Sequence, residues 1–289
     1  MEINYTALIF LKDEPYRVHP LIENLKGHAR ILVLLAEDDK LTEPFLVENS
    51  IPYLRRPSNY SKMSWSKKAE WVLNQSKTDY VFICYASFFV SIELLKVFQE
   101  TSRDRIHDAV YHSNIYWSYG TVVQQPTFFR KSNSCYFFNK NVIDYGNVSV
   151  HDEFPINKKA VILRLVPKKS LCLNIFRDDD MIIVNQKHTA YAEVEATEKI
   201  GKIKNIKFST ILYKVFRAFV VNYIKMGGFR SGVPGLIYHS HYAIYQFLVY
   251  SRIWELQNKC DYINNRNRHQ KIKLDLISIN SKNNDVIQS

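Results

Sequence analysis

The sequence Tyr5-Thr-Ala-Leu-Ile-Phe-Leu11 is followed, after a helix-like segment, by Ile31-Leu-Val-Leu-Leu35. Unbroken apolar runs of this length are typical of strands buried in a parallel sheet. Residues 15–26 between them carry apolar side chains at helical spacing, and Gly27 follows as a helix stop. The stretch therefore predicts a strand–helix–strand unit with its helix packed on the sheet.

The same alternation continues to about residue 110. Short apolar runs at residues 51–54 and 80–84 predict two further strands, and residues 64–75 and 91–99 predict helices. Strand–helix alternation at this spacing is typical of an α/β fold with a parallel sheet covered by helices.

Three regions follow from the patterning. We expect an α/β domain over residues 1–176, a helical region over residues 177–258 and a polar tail with a loose end over residues 259–289. Within the first region, β-rich segments predict an antiparallel addition to the sheet, which makes the sheet mixed. These segments are residues 109–116, 127–138 and 160–166.

Composition excludes several classes of protein. The chain has 289 residues, of which 46% are hydrophobic and 23% charged, so it is globular rather than disordered or fibrous. Neither glycine-rich phosphate-loop motif occurs. The four cysteines lie far apart, which argues against a zinc site or a disulfide framework and fits a reducing cytoplasm. No signal peptide and no run of about 18 apolar residues is present, so no spanning helix is expected.

The net charge of +11 is concentrated near the C-terminus. Between Lys199 and Trp254 there are nine Lys and Arg residues and no Asp or Glu. At about 100° per residue, five cations share an arc of about 140°, and apolar residues fill most of the remainder. This amphipathic layout favours an anionic membrane surface over a solvated face or nucleic acid, for which no binding module is recognisable. The five membrane-facing candidates are Lys204, Lys207, Lys214, Arg217 and Lys225. Gly227-Gly228 and Pro234-Gly235 predict a break before a second helix.

Four segments of the C-terminal half occur in an order that resembles one family. They are Val150-His-Asp-Glu153, Lys187-His-Thr-Ala-Tyr191, Tyr223-Ile-Lys-Met-Gly-Gly-Phe-Arg-Ser-Gly232 and the aromatic stretch from Ala243 to Glu255. Together they resemble family-two glycosyltransferases, in particular the bacterial lipopolysaccharide-core β-1,4-glucosyltransferase group, over roughly residues 3–256. The resemblance implies a nucleotide-diphosphosugar transferase fold of the GT-A type.

The resemblance also implies roles for individual residues. Asp152 aligns with the carboxylate that takes the proton of the acceptor hydroxyl in an inverting reaction, and Glu153 is the alternative. Glu14 ends a segment similar to the family's K-N-E and is a candidate contact of the nucleotide. The family's Asp after the second strand aligns with Leu35, so the nearest carboxylates are candidate substitutes. These are Glu37, Asp38 and Asp39.

The largest departure from the family follows the fourth strand. The family has D-A-D-E there, and its Asp pair holds a divalent cation, Mn²⁺ or Mg²⁺, on the donor diphosphate. This chain has Tyr85-Ala-Ser87-Phe, so Tyr85 and Ser87 are expected to line the site without binding metal. We expect Lys67 or Lys68 to supply the missing positive charge. The run Asp178 to Asp180 is expected to cap a helix rather than to bind a cation.

The prediction is a transferase that moves a sugar from a nucleotide-sugar donor to a lipid-linked or surface-glycan acceptor. The resemblance implies that the reaction inverts the configuration at the anomeric carbon. It would be a peripheral protein at the inner face of the cytoplasmic membrane. The alternative is a catalytically degenerate relative that binds a glycan or a partner transferase, since the cation carboxylates are missing.

Overall fold

The computed structural model describes residues 3–124, 134–148, 154–177, 180–225 and 227–287, with side chains to residue 276. The chain divides into two compact units. Unit 1 comprises Met1–Asp178 with Met226–Gly235, and unit 2 comprises Asp179–Lys225 with Leu236–Ser289.

Unit 1 is built on a mixed sheet. Its four-stranded parallel part has the order β3-β2-β1-β4, and the order then continues β8-β6-β10-β5. β8 is antiparallel to β4 and β6, whereas β9 and β10 run parallel to β6. The described strands are β1 (Tyr5–Leu11), β2 (Arg30–Leu35), β3 (Tyr53–Arg55), β4 (Tyr80–Tyr85), β5 (Phe88–Val90), β6 (Ala109–Ser118), β7 (Thr121–Gln124), β8 (Ser134–Asn139), β9 (Ile162–Arg164) and β10 (Cys172–Arg177).

Helices cover both faces of this sheet. They are α1 (Pro15–Leu25), α2 (Thr42–Glu48), α3 (Trp65–Asn74) and α4 (Ile92–Asp104). Because successive side chains of a strand point to opposite faces, β1 contributes to two separate cores. Ile9 packs with α1 and α4 in one core, and Leu8 packs with α3 in the other. The sheet is therefore buried on both sides, which explains its unbroken apolar runs.

Unit 2 is helical. It contains α5 (Met181–Lys199), α6 (Phe208–Phe219), a π-helical turn (Val220–Lys225), most of α7 (Gly232–Gln257) and α8 (Tyr262–Ile287). Its core joins Ala196 of α5 to Val249 and Ile253 of α7, all of which are fully buried. Glu195 is also buried there, and it accepts hydrogen bonds from the Tyr245 hydroxyl and from the Lys199 ammonium.

Most predicted elements of the α/β region are confirmed, and several details differ. The helix α2 and the strands β5, β7 and β10 were not predicted. The added strands are mixed rather than antiparallel, because β9 and β10 pair parallel to β6. Only residues 134–138 of the predicted segment 127–138 lie within the described residues. The predicted polar tail contains a helix that begins at Tyr262, where Asp261 accepts a hydrogen bond from the backbone N–H of Asn264 at 2.9 Å.

Pro234 and Gly235 do not break the chain before the aromatic helix, since both lie in the first turn of α7. Proline is tolerated there because its missing N–H has no partner at a helix start. Gly235 is required by packing within unit 1: a Cβ at this position would lie 2.1 Å from the carbonyl oxygen of Gly228.

Candidate functional site

The parallel strands of unit 1 create a topological switch point between β1 and β4. These strands are neighbours, yet the chain leaves β1 through α1 on one face and reaches β4 through α3 on the other. In open α/β sheets, ligands bind outside the carboxyl ends of the strands at such a point. The candidate site therefore lies beyond Leu11 and Tyr85, the last residues of the two strands.

Two loops at this edge are tied together by a pair of aspartates. Asp13 has a φ of +53°, a left-handed conformation that costs a non-glycine residue free energy. Its N–H donates to Asp39 Oδ2 at 2.5 Å, and its own Oδ1 accepts from the N–H of Lys40 at 2.9 Å. The loop after β1 and the loop after β2 thus form one hydrogen-bonded edge, which we call the aspartate lock (Asp13 and Asp39).

Asp39, a predicted nucleotide contact, lies inside this lock. It is 3% exposed and also accepts hydrogen bonds from the backbone N–H of Thr42 at 2.8 Å and from its hydroxyl at 2.7 Å. Burial alone raises the pKa of Asp39, but the hydrogen bonds donated by Asp13, Thr42 and Glu43 outweigh it and lower the pKa below its ordinary value. The carboxylate therefore fixes the start of α2.

The other predicted nucleotide carboxylates lie nearer the surface. Glu14 accepts a hydrogen bond from Arg17 Nη1 at 2.5 Å, and Asp38 pairs with Lys12 at the same distance. The Lys12 ammonium lowers the pKa of Asp38. Glu37 is exposed. Three carboxylates therefore remain at the rim of the edge, two of them with cationic partners.

An aromatic pair occupies the strand ends themselves. Phe10 of β1 lies opposite Tyr85 of β4 in the parallel register, and their rings stack with centroids 5.7 Å apart and planes 22° from parallel. The buried Phe88 contacts Tyr85 edge-on at 5.3 Å. Ser87 accepts a backbone hydrogen bond from Phe176 at 2.8 Å, which joins this loop to β10. Tyr85 and Ser87 thus line the edge with rings and a hydroxyl.

These residues do not fit the divalent cation that the resemblance implies. Mn²⁺ and Mg²⁺ prefer carboxylate oxygens, and the segment after β4 offers a phenol and a hydroxyl instead. Among the residues that the structure describes, no three His, Cys, Asp or Glu side chains converge as metal ligands.

Arg56 is a candidate site residue that the sequence patterns did not predict. Its Nη2 donates to the carbonyl oxygen of Leu11 at 3.1 Å, and its guanidinium carbon lies 5.5 Å from the Tyr60 ring centroid and 6.0 Å from that of Phe10. Its Nε is buried, and within the described ranges neither a hydrogen-bond partner for it nor a carboxylate within 4 Å of the guanidinium is found. Burial lowers the pKa of this guanidinium, although it stays cationic.

Lys68 extends the positive charge around Arg56. Its Nζ lies 4.2 Å from the ring centroid of Trp65 and 5.8 Å from that of Tyr60, so Tyr60 contacts both cations. Lys67 is exposed, and its backbone N–H donates to the helix cap Ser64 at 3.4 Å. We call Arg56, Tyr60, Trp65 and Lys68 the basic aromatic cluster. The sequence signal for it was the Arg55-Arg56 pair directly after the third apolar run.

The predicted base residues Asp152 and Glu153 lie outside the described residues, as do Asp178 and Asp179. Asp180 is described, and its Oδ1 accepts a hydrogen bond from the N–H of Ile183 at 2.9 Å. Asp180 is therefore the N-cap of α5, as predicted for this acidic run.

In unit 2, four of the five predicted membrane-facing cations are exposed, namely Lys204, Lys207, Arg217 and Lys225. Lys214 is half-buried, with its Nζ 5.3 Å from the ring centroid of Tyr250. Helices long and apolar enough to cross a membrane are not found over the described part of the chain.

The chain matches no protein-family model and no curated protein sequence. A solved structure of S. aureus TarS 1–349 with UDP-GlcNAc has a TM-score of 0.49 at 12% identity, covering 90% of this chain and 93% of that chain. A structure of glucosyl-3-phosphoglycerate synthase from Mycobacterium tuberculosis with Mn²⁺, UDP and phosphoglyceric acid has a TM-score of 0.41 at 11% identity, covering 68% and 78%. The strand order and the switch point, rather than this similarity, define the chain as an α/β protein with a mixed, helix-covered sheet.

Proposed function

We propose that this protein is a sugar transferase that binds a nucleotide-diphosphosugar donor at the switch point between β1 and β4. Arg56 is the observation that carries the proposal. A partly desolvated guanidinium without a carboxylate partner, beside a ligand-binding crevice, is suited to an anion. The resemblance to family-two glycosyltransferases names the nucleotide diphosphate as the anion that this fold would bring there.

The division of roles at the donor site follows from position and charge. Arg56 and Lys68 balance the diphosphate charge in place of a metal ion, since a guanidinium can donate two parallel hydrogen bonds to phosphate oxygens. Lys67 lies on the same helix and is the second lysine candidate. Glu14, Glu37 and Asp38 accept hydrogen bonds from the nucleotide, while Tyr85 and Ser87 line the sugar side.

The chemistry that we propose is an inverting displacement. The acceptor hydroxyl oxygen attacks the anomeric carbon, and Asp152, with Glu153 as the alternative, takes the hydroxyl proton. The bond from the anomeric carbon to the diphosphate oxygen breaks, and the nucleoside diphosphate leaves with that electron pair. Arg56 and Lys68 stabilise the negative charge that develops on the leaving group.

We further propose that the acceptor is lipid-linked or part of a surface glycan, and that the protein works at the inner face of the cytoplasmic membrane. The cations of α6 and its flanks, Lys204 to Lys225, carry this proposal, because a polar face rich in Lys and Arg opposite an aromatic face is typical of interfacial helices. In this scheme residues 1–176 are the catalytic domain, residues 177–258 face the membrane, and residues 259–289 form the polar tail.

Calorimetric titration with nucleotides and nucleotide sugars, with and without Mn²⁺, tests the donor site. We expect one nucleotide class to bind without metal, and we expect its affinity to fall about 10- to 100-fold in Arg56→Met, because a charged hydrogen bond contributes about 1.5–3 kcal/mol. Arg103→Met is the matched control, since Arg103 is exposed at the end of α4 and pairs with Asp104.

Two outcomes of this titration would contradict the proposal. Binding only with Mn²⁺ would show that metal ligands lie outside the segment after β4. A folded protein that binds no nucleotide would favour the non-catalytic alternative, a binder of a glycan or a partner transferase. That alternative has its own support, since Tyr85, whose ring stacks on Phe10, stands where the family has a cation-binding aspartate.

A further inference from the structure

Unit 2 contains an open apolar groove between α6 and α7. Its volume is about 750 Å³, within the range of about 300–1,000 Å³ that is typical of small-molecule sites. Leu212, Phe216 and Phe219 line it from α6, and Ile244 and Phe247 line it from α7. Ser240 contributes the one polar side chain of the lining, so a sugar or a nucleotide would find almost no hydrogen-bond partner there.

The lining side chains are large and open to solvent. Phe216 is 69% exposed and Phe247 is 51% exposed, and Phe208, one turn before Leu212 on α6, is 76% exposed. Side chains of this kind normally lie in a core, and a contiguous exposed group of them marks an interaction site. The groove thus requires an apolar occupant.

The charges of the same helix indicate which apolar occupant it takes. At about 100° per residue, Lys207, Lys214 and Arg217 lie on the side of α6 away from Leu212 and Phe216. Over the described ranges no carboxylate oxygen lies within 4 Å of the Lys207 or Arg217 cation. An amphipathic helix with cations on one face and aromatic rings on the other lies flat in the interface of an anionic lipid layer.

A second copy of the chain fits this surface less well. Pairing through the groove would bring together two segments that each carry nine Lys and Arg and no acidic residue between Lys199 and Trp254. Like charges in apposition are unfavourable, whereas anionic headgroups neutralise them.

We propose that the groove between α6 and α7 seats one hydrocarbon chain of an anionic membrane lipid, while the cations of α6 contact headgroups around it. The inference rests on the proposed membrane contact and is independent of sugar transfer. Lipid chains have no hydrogen-bonding groups, as the lining requires, and lysine side chains reach headgroup level by extending along the apolar surface.

Fluorescence quenching by brominated acyl chains tests whether a lipid chain enters the groove. The probe is the Phe216→Trp variant, mixed with vesicles of phosphatidylglycerol brominated along its chains. We expect quenching well above that of the wild-type protein, whose own tryptophans set the background. Tyr213→Trp is the matched control, because Tyr213 is 60% exposed on α6 but does not line the groove. Equal quenching of the two variants would show that no chain enters the groove.

Vesicle co-sedimentation separates the sources of binding. We expect Phe247→Glu to lower binding to phosphatidylglycerol vesicles at least tenfold and Phe247→Leu to retain it. Circular dichroism checks that both variants fold. Equal binding to phosphatidylcholine vesicles would remove the headgroup part of the proposal. Concentration-dependent dimerisation in sedimentation, lost in Phe247→Glu, would instead assign the groove to a second copy. Neither experiment uses a nucleotide, so the lipid-binding proposal can fail or hold independently of the sugar-transferase proposal.

Discussion

Arg55 and Arg56 are adjacent in the chain and have opposite kinds of partners. Arg55 Nε donates to Glu43 at 3.2 Å and Nη1 donates to the carbonyl oxygen of Glu37 at 2.7 Å, so it anchors the loop after β2. Arg56 donates to the carbonyl oxygen of Leu11, and among the described residues no carboxylate oxygen lies within 4 Å of its guanidinium, although Asp38 and Asp39 attract it from farther away. The first arginine serves the fold, and the second is available to a ligand.

This contrast predicts a split between stability and binding. We expect Arg56→Met to keep the free energy of unfolding within about 1 kcal/mol of the wild type, because removing a desolvated, unpaired charge offsets the lost hydrogen bond. Arg55→Met should lower the melting temperature and, at temperatures where it is folded, weaken nucleotide binding less than Arg56→Met does. Thermal melts and calorimetry on both variants measure the split. A strongly unstable Arg56→Met would assign that residue to the fold instead.

The buried carboxylate of Asp39 leads to a second prediction, which concerns the stability of the folded protein. Asp39→Ala leaves the N–H of Asp13 and both donors of Thr42 without partners, which should cost about 2–3 kcal/mol of unfolding free energy in urea titrations at pH 7. Asp38→Ala is the control, since that side chain is exposed and its ion pair with Lys12 is open to solvent. A loss in Asp38→Ala as large as in Asp39→Ala would contradict the role of the lock.

The same carboxylate sets a pH dependence. Its pKa is lower in the folded protein than the ordinary value of 3.8, so its contribution is complete above that value. The contribution is lost as the pH falls through the folded-state pKa. The stability difference between wild type and Asp39→Ala should therefore be constant near neutral pH and shrink below about pH 3.8. A difference that already declines between pH 7 and pH 5 would contradict the lowered pKa.

At the scale of elements, the start of α7 depends on a glycine that only packing explains. A Cβ at Gly235 would lie 2.1 Å from the Gly228 carbonyl oxygen, and backbone cannot move aside as a flexible side chain can. We expect Gly235→Ala to cost about 1–3 kcal/mol of unfolding free energy in thermal or urea melts. Gly201→Ala is the control, because its Cβ would have no atom within 4 Å. Equal stability of the two variants would contradict the conclusion that packing requires a glycine at position 235.

The sequence predicted the elements whose apolar residues form a clear pattern. β1, β2 and β4 are continuous apolar runs, and α1 and α3 show helical spacing, so single-sequence patterns located them. β5 has three residues and pairs only through tertiary contact with β10, which leaves no periodicity to detect. The helicity of α8 was missed because the tail is rich in Asn and Lys, and its described side chains, polar and apolar alike, are mostly exposed, so no buried apolar stripe marks a helix.

The candidate site was predictable in part for the same reason. Glu14, Tyr85 and Ser87 follow apolar runs, so their place at the carboxyl edge of the sheet follows from the strand pattern alone. The special state of Arg56 depends on tertiary packing: Phe10, Tyr60 and Leu11 hold the guanidinium, and Asp38 and Asp39 attract it without forming an ion pair with it in the described structure. The spacing of residues in the sequence cannot show whether Arg56 forms an ion pair in the folded protein.

For the whole molecule, the proposed reaction needs a general base. Two variants, Asp152→Asn and Glu153→Gln, decide which carboxylate it is. We expect Asp152→Asn to reduce sugar transfer at least 100-fold without weakening nucleotide binding, because general-base catalysis typically contributes about 10²–10⁴-fold. Glu153→Gln should retain activity if Asp152 is the base. Single-turnover assays with the donor found by calorimetry measure both. Full activity in both variants would remove this carboxylate pair from the mechanism.

The net charge of the whole chain is +11, so under the proposed membrane contact the protein as a whole is attracted to anionic lipid. Attraction between exposed cations and anionic lipid weakens as salt screens it over about 8–10 Å. Binding to phosphatidylglycerol vesicles should therefore fall steeply as salt is raised from low to physiological concentration. Binding that ignores both salt and lipid charge would contradict an electrostatic contact.

The aspartate lock has a consequence for how the edge of the sheet meets a ligand. Its hydrogen bonds cross from the loop after β1 to the loop after β2, so neither loop can shift without the other. The conformational entropy of both loops is already lost when the chain folds, and little remains to be lost on association. Under the proposed function, a donor that reaches this edge meets a preformed, stiff rim, so we expect recognition there to be closer to lock-and-key than to induced fit.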